Sequence, residues 1–319
     1  MPLTPTGDIL AEAEREGGGV GAFNVVQLEH AEAIVAGAEA AGRPVILQLS
    51  ENTVRYHGAL EPVALATLAV ARTADVPAAV HLDHAESPEL VRAAVELGVR
   101  SVMFDAAKLP YADNLAATRD ITGFCHARGA WVEAELGEVG GKDGAHAPGA
   151  RTDPDEARAF VATTGVNALA VAVGSSHAML TRDAVLDEEL ITRLRAAVPV
   201  PLVLHGSSGV ADDGLRRAVA AGLRKVNIAT HLNRTLTRVV RSRLAAEPEL
   251  ADPRRYLGPA RDAVAAEVAR LLDLLAAPGA ATTGGAGGRV AAPAPREARP
   301  RVTRPADPSR RGQPCPGNR

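Results

Sequence analysis

Along the chain, short runs rich in apolar and β-branched residues alternate with longer segments in which Ala, Leu, Glu and Arg recur at helical spacing. Eight such runs stand out, at 21–25, 44–49, 78–82, 100–104, 130–136, 168–173, 201–205 and 225–229. Helices are predicted between them at 29–41, 60–74, 88–97, 112–127, 154–164 and 212–221. Ser87-Pro88 and Asp153-Pro154 supply first-turn signals, and Gly42, Gly98, Gly129, Gly165 and Gly222 supply stops. Strands that read as nearly continuous hydrophobic runs are covered on both faces, as a parallel sheet requires. Eight strand-then-helix units imply a closed (β/α)8 barrel.

A further helix is predicted at 259–276, packing across the barrel or against a second subunit. The composition then changes: residues 289–319 carry eight Arg against two acids, seven Pro and no aromatic residue. Such a stretch buries too little to fold, so 278–319 is expected to be a disordered tail behind a barrel domain at 1–277.

Composition narrows the function. At 46% hydrophobic and 23% charged, 319 residues suffice for one large globular barrel. A formal charge of -3 offers no bulk basic surface for a polyanion, which argues against nucleic-acid binding. No apolar run approaches the roughly 20 residues of a membrane helix, and residues 1–9 lack a basic region followed by an apolar one, so a cytoplasmic protein is expected. Cys125 and Cys315 are the only cysteines, too few and too differently placed for a disulfide framework or a thiolate cage. Any metal site must draw on His and carboxylates. Lysine occurs only at Lys108, Lys142 and Lys225, which restricts lysine-nucleophile mechanisms.

Active sites of such barrels lie at the carboxyl ends of the strands. Polar residues concentrate there: His81-Leu82-Asp83-His84, Asp105, Glu133-Ala134-Glu135, Gly174-Ser175-Ser176-His177, His205-Gly206-Ser207-Ser208 and Asn227-Ile228-Ala229-Thr230. His84, His177 and His205 fall just past strands three, six and seven, where three imidazoles could converge and leave a fourth metal position open. Any one of them alone reads more simply as a core or loop histidine; three in equivalent places argue against coincidence. His81 lies at odd spacing from His84, hence on the opposite strand face, in a supporting role. His30, His57, His126 and His146 are expected to be solvated.

Asp83 could exchange a proton with substrate oxygen or instead orient a histidine; the first is preferred. Asp105 and Glu135 could make a second metal position or a hydrogen-bond network, and their spacing does not choose. The loops at Gly206, Ser207, Ser208 and at Asn227, Ala229, Thr230 occupy the usual phosphate-binding place of barrels. The glycine-rich stretch 137–151 is expected to be a lid that delivers Asp143.

At these residues the chain resembles the class II, metal-dependent fructose-bisphosphate/tagatose-bisphosphate aldolases over 1 to about 275. The matching motifs are Gly21-Ala22-Phe23-Asn24, His81-Leu82-Asp83-His84, Val132-Glu133-Ala134-Glu135-Leu136-Gly137, Leu204-His205-Gly206, Lys225 to Thr230 and Asp252-Pro253-Arg254-Arg255-Tyr256-Leu257. The resemblance implies zinc on His84, His177 and His205, with Asp83 as proton donor and acceptor. It implies Asp105 and Glu135 as an alternative or second metal position, and allows a further divalent or monovalent cation. Gly206, Ser208, Asn227 and Thr230 would line a dihydroxyacetone phosphate site, with Asn24 and Ser50 as further substrate contacts. The implied reaction is reversible cleavage of a ketose 1,6-bisphosphate to dihydroxyacetone phosphate and glyceraldehyde 3-phosphate through a zinc-stabilised enediolate, in a homodimer or homotetramer.

Four departures from the family pattern stand out: Asp143 stands where Glu is usual, Ala178 and Ala106-Ala107 where Gly and Gly-Ser are usual, and His231 where an acidic residue follows Thr230. They motivate two alternatives, a different phosphorylated ketose or a non-catalytic metal-binding scaffold. A barrel metallohydrolase and a Schiff-base aldolase using Lys225 are further rivals. The first lacks its usual His-x-His on strand one, and the second leaves the histidines unexplained.

Overall fold

The computed structural model describes residues 3–136, 151–175 and 182–277, all within one compact unit. Eight strands close into a parallel barrel in chain order: β1 Val20–Asn24, β2 Val45–Ser50, β3 Ala78–Ala85, β4 Ser101–Phe104, β5 Trp131–Leu136, β6 Ala168–Val171, β7 Leu202–Leu204 and β8 Leu223–Ile228. Each corresponds to one of the predicted runs. The largest difference in meaning is at β3, which continues to Ala85 and carries Asp83 and His84 within the strand rather than beyond it.

The helices are α1 Thr6–Glu16, α2 Leu28–Ala41, α3 Glu51–His57, α4 Leu60–Ala71, α5 Pro88–Leu97, α6 Tyr111–His126, α7 Pro154–Thr164, α8 Glu188–Ala197, α9 Asp212–Ala221, α10 Thr230–Ala246 and α11 Arg254–Leu275. Local chemistry sets their starts. Ser87 accepts the Leu90 N–H ahead of Pro88, Asp153 accepts those of Asp155 and Glu156 ahead of Pro154, and Asp187 accepts that of Leu190. The last helix begins at Arg254, upstream of the predicted Pro259, which lies inside it.

The barrel is sealed at its amino-terminal end and polar at its carboxyl end. At the sealed end α1 packs Ile9, Leu10 and Ala13 against Val20, Ala22, Ile46 and Ala79. Met103, Ala168, Ala170 and Val203 form another apolar cluster inside the wall. The larger core fills the space between strands and helices, where Phe23, Leu47, Leu82, Phe160 and Leu204 are fully or almost fully buried. Outside, α11 packs against α2 and α10. Gly37 on α2 permits this, since a Cβ there would overlap the Ala265 carbonyl oxygen and crowd Val268. Among the described residues no helix is long and apolar enough to cross a membrane.

Candidate active site

Alternation along each strand decides which side chains enter the barrel. The parallel registers pair Asn24 with Gln48, Gln48 with His81 and Ser50 with Asp83. On the other side, Glu133 and Glu135 of β5 and Lys225 and Asn227 of β8 repeat the same two-residue spacing. The upper barrel is thus a stack of polar side chains, most of them buried.

His84 would face away from Asp83 on a regular strand. Instead the β3–β4 register shifts between Leu82 and Ala85, and His84 has φ of 49°, the one positive φ among non-glycine residues in the described chain. Such a conformation costs on the order of 1 kcal/mol or more in a non-glycine residue. Its effect is to bring two adjacent residues, Asp83 and His84, to one site. The spacing argument that separated His81 from His84 assumed regular alternation, which this bulge breaks.

The imidazoles meet there. His84 Nε2 lies 2.7 Å from His205 Nδ1. On its other edge His84 Nδ1 is 2.8 Å from Asp105 Oδ2 and 3.9 Å from Glu135 Oε2. His205 Nε2 is 2.9 Å from Glu133 Oε1. A carboxylate can only accept, so each ring carries its hydrogen on the nitrogen facing its acid. That turns the lone pairs of His84 Nε2 and His205 Nδ1 toward each other. Ring nitrogens at this separation hold either a proton or a metal ion between or beside them, and a histidine backed by a carboxylate is the usual arrangement of a metal ligand. Asp83, His84 and His205, and separately His84, Asp105 and Glu135, bring ligand atoms within 4.8 Å of one another. The donor set fits a divalent ion.

Asp83 is buried and oriented. Its Oδ1 accepts from Asn227 Nδ2 at 3.1 Å, and Gln48 Nε2 lies 3.5 Å from Oδ2. Gln48 Nε2 also donates to Asn24 Oδ1 at 2.6 Å. Around them opens a cavity of about 830 Å³ whose lining includes Asn24, Ser50, Asp83, Ser208, Asn227 and Thr230. Gly206, at φ of 68°, turns β7 into a single 3-10 turn, Ser207–Gly209. Ser207 donates to the Asn227 carbonyl, which ties the β7 and β8 loops together and commits that hydroxyl to structure. Ser175 donates to the His205 carbonyl at 2.6 Å. Ala229 is the N-cap residue of α10, and Ala229, Thr230 and Asn233 at the start of that helix line the cavity.

The predicted residues Asn24, Ser50, Asp83, His84, Asp105, Glu135, His205, Gly206, Ser207, Ser208, Asn227, Ala229 and Thr230 all lie at this end of the barrel. His177, Asp143, Ala178, His146 and the 278–319 tail lie outside the described residues. His30 is a correction: it is 3% exposed, not solvated, because α2 turns it inward. His57 and His126 are exposed, bonded to the Val26 carbonyl and Asn167 Oδ1. His81 supports the site, its Nδ1 2.7 Å from Ser101 Oγ, and burial, with the Lys225 charge beside it, holds it well below the ordinary imidazole range. Lys225 is fully buried and ion-paired 2.8 Å from Glu133 Oε2, which removes it from the mouth as a Schiff-base nucleophile. Gln48 and Glu133 went unassigned in sequence, and Lys225 was weighed only as a Schiff-base nucleophile; their two-residue spacing from Ser50, Glu135 and Asn227 was the signal that could have placed them.

A parallel eight-stranded barrel with buried carboxylates and imidazoles gathered at its carboxyl mouth defines a (β/α)8 enzyme with a metal-capable centre. The class II fructose-bisphosphate aldolase family matches residues 4–280, and the chain belongs to that family; it is an aldolase, a carbon–carbon lyase. Among solved structures it is similar to the YdjI aldolase of Escherichia coli K12, at 30% identity over 87% of this chain and 98% of that one, with a TM-score of 0.77. A Coccidioides immitis protein assigned as a fructose-1,6-bisphosphate aldolase matches at 30% identity over 84% and 94%, with a TM-score of 0.76. The fructose-bisphosphate aldolase of Campylobacter jejuni shares the fold at 21% identity and a TM-score of 0.71, covering 86% and 95%.

Proposed function

We propose that the chain is a zinc-dependent aldolase that reversibly cleaves a ketose 1,6-bisphosphate, of the fructose or tagatose type, to dihydroxyacetone phosphate and glyceraldehyde 3-phosphate. The observation that carries this reading is the approach of His84 Nε2 to His205 Nδ1 at 2.7 Å beside the oriented Asp83. His84 and His205, with His177 as expected from the family pattern, would hold the ion, and Asp105 and Glu135 would offer it a second position. Zinc held there supplies Lewis-acid polarisation of the substrate ketone.

The chain's own residues do the rest. Asp83 accepts the hydroxyl proton as the carbon–carbon bond breaks and returns it on condensation. Asn227 and Gln48 hold its carboxylate toward the cavity. The backbone N–H groups of the Gly206 turn and of the α10 start cradle a phosphate dianion. Asp143 is the lid acid in this reading. A homodimer or homotetramer in the cytoplasm accompanies it.

The test is metal content together with turnover on fructose and tagatose bisphosphates, for wild type, Asp83→Ala and His205→Ala, with and without EDTA. Stoichiometric zinc and chelation-sensitive cleavage are expected in wild type. Asp83→Ala should keep its metal and lose at least about 10²-fold in turnover; His205→Ala should lose both. Full zinc occupancy with no cleavage of any phosphorylated ketose would overturn the substrate reading, and undiminished activity after chelation would overturn the zinc reading.

A further inference from the structure

We propose that the buried ion pair Glu133–Lys225 is the positioning device of this site, fixing the tautomer of His205 and the orientation of the Asn227 amide at once. Neither residue reaches the cavity. The side chains of His205, Glu133 and Lys225 are all 0% exposed.

The geometry is a continuous chain of hydrogen bonds and one ion pair. Glu133 Oε1 accepts from His205 Nε2 at 2.9 Å, and Oε2 lies 2.8 Å from Lys225 Nζ as an ion pair. Lys225 Nζ also donates to Asn227 Oδ1 at 2.8 Å, and Asn227 Nδ2 donates to Asp83 Oδ1 at 3.1 Å. An ammonium has no acceptor and a carboxylate no donor, so neither the amide nor the ring can turn over. Asn227 Nδ2 also lies 3.1 Å from His205 Nε2. Both atoms carry hydrogen here, so that proximity is no bond, and the charge-assisted contact with Glu133 prevails.

Two consequences reach the cavity. The hydrogen on His205 Nε2 leaves Nδ1 as a lone pair facing His84. The amide hydrogens of Asn227 meet Asp83, and its oxygen stays behind. Lys225 lets Glu133 supply a full carboxylate without adding net charge to the barrel. His81 borders the pair, its Nε2 3.8 Å from Glu133 Oε2. The sequence spells the device as Glu133-x-Glu135 and Lys225-x-Asn227, with a positioning residue one pleat below a site residue on each strand.

This inference rests on His205 as a zinc ligand, and failure of that reading would appear separately, as zinc content unchanged in His205→Ala. The test uses the full-length apoprotein. In wild type, ¹⁵N NMR of the histidine rings should find His205 protonated at Nε2; protonation at Nδ1 would overturn the proposal. Glu133→Gln should weaken zinc binding, read by chelator competition, about 10- to 100-fold. Lys225→Met should lower kcat more than it raises KM, because Asn227 loses its anchor while the phosphate loops stand. The double variant Glu133→Gln/Lys225→Met leaves no unpaired buried charge. It should recover apoprotein Tm relative to either single variant while its zinc affinity stays low. Wild-type zinc affinity and turnover in the double variant would reduce the pair to a structural filler. If a single variant fails to fold, the double variant and the wild-type tautomer decide.

Discussion

At the scale of single residues, the site is governed by what each ring nitrogen faces. Asp105 lies behind His84 as Glu133 lies behind His205, so Asp105→Ala should cost about 10- to 100-fold in zinc affinity. Asp105→Asn, which keeps an accepting oxygen, should lose less, and zinc competition on both variants checks the order. Equal losses would mean that the carboxylate acts as a direct ligand rather than as support. His30 makes a different prediction. Burial lowers its pKa, outweighing Asn233 and Glu29, which act in the opposite sense. The unfolded chain, titrating near the ordinary 6.5, then binds the proton first, so stability is lost as pH falls below about 6.5. His30→Met should narrow the gap in Tm between about pH 8 and about pH 5; an unchanged gap would mean His30 accepts its proton without cost. Sequence made Asp83, His84 and His205 legible because a chemical type recurred at strand ends. It could not show His30 inward, since the Ala-rich α2 leaves the buried face open, nor the bulge that aims His84, since no residue type there demands a positive φ.

Between elements, an ionic ladder explains one of the departures from the family pattern. His231, in the first turn of α10, bonds Glu267 of α11 at 2.6 Å. Glu267 pairs with Arg270, Arg270 with Asp212 of α9, and Asp212 with Arg182, whose guanidinium also donates to the Val210 carbonyl beside the Gly206 turn. The ladder therefore joins the two loops that border the cavity. An acid at 231 would face Glu267, whereas the histidine complements it. His231→Asp should lower stability by on the order of 1 kcal/mol, read as Tm, with Glu267→Gln in the same chain relieving the loss. Glu267 is partly buried, a change that alone would raise its pKa; His231 and Arg270 override it and bring the carboxyl down to about 2. Its contribution is thus present above about pH 4.5 and fades as pH falls toward 2. Helices with strong caps were legible, as at Pro88 and Pro154. The unpredicted ones were short or polar: α1 is acid-rich, α8 carries two acids and two arginines in ten residues, α3 is a single short helix between β2 and α4, and α10 buries only Leu232 and Thr235 along its length.

For the whole molecule, the barrel divides its labour by depth. The amino-terminal end is apolar and closed by α1, whereas the upper layers bury carboxylates, imidazoles and an ammonium that contribute no hydrophobic stabilisation. The repeat of eight apolar runs announced the scaffold, but closure is what gathers Glu133, Lys225 and Asp83 from three strands and His205 from just past β7 into one network, and no single run carries that information. In the zinc reading proposed above, such an arrangement makes stability depend on the bound ion. An ion held there binds the native state alone, because only the folded barrel brings His84 Nε2 and His205 Nδ1 within 2.7 Å. By mass action, free zinc at about 1,000 times its Kd should stabilise the fold by about 4 kcal/mol. Chelation should therefore lower the Tm of wild type, and Asp83→Ala should keep that metal-dependent shift while losing activity. His205→Ala should lose the shift as well. A wild-type Tm indifferent to EDTA, in a protein shown to contain zinc beforehand, would mean that the scaffold itself holds the imidazoles together and that the ion adds nothing to the stability of the fold.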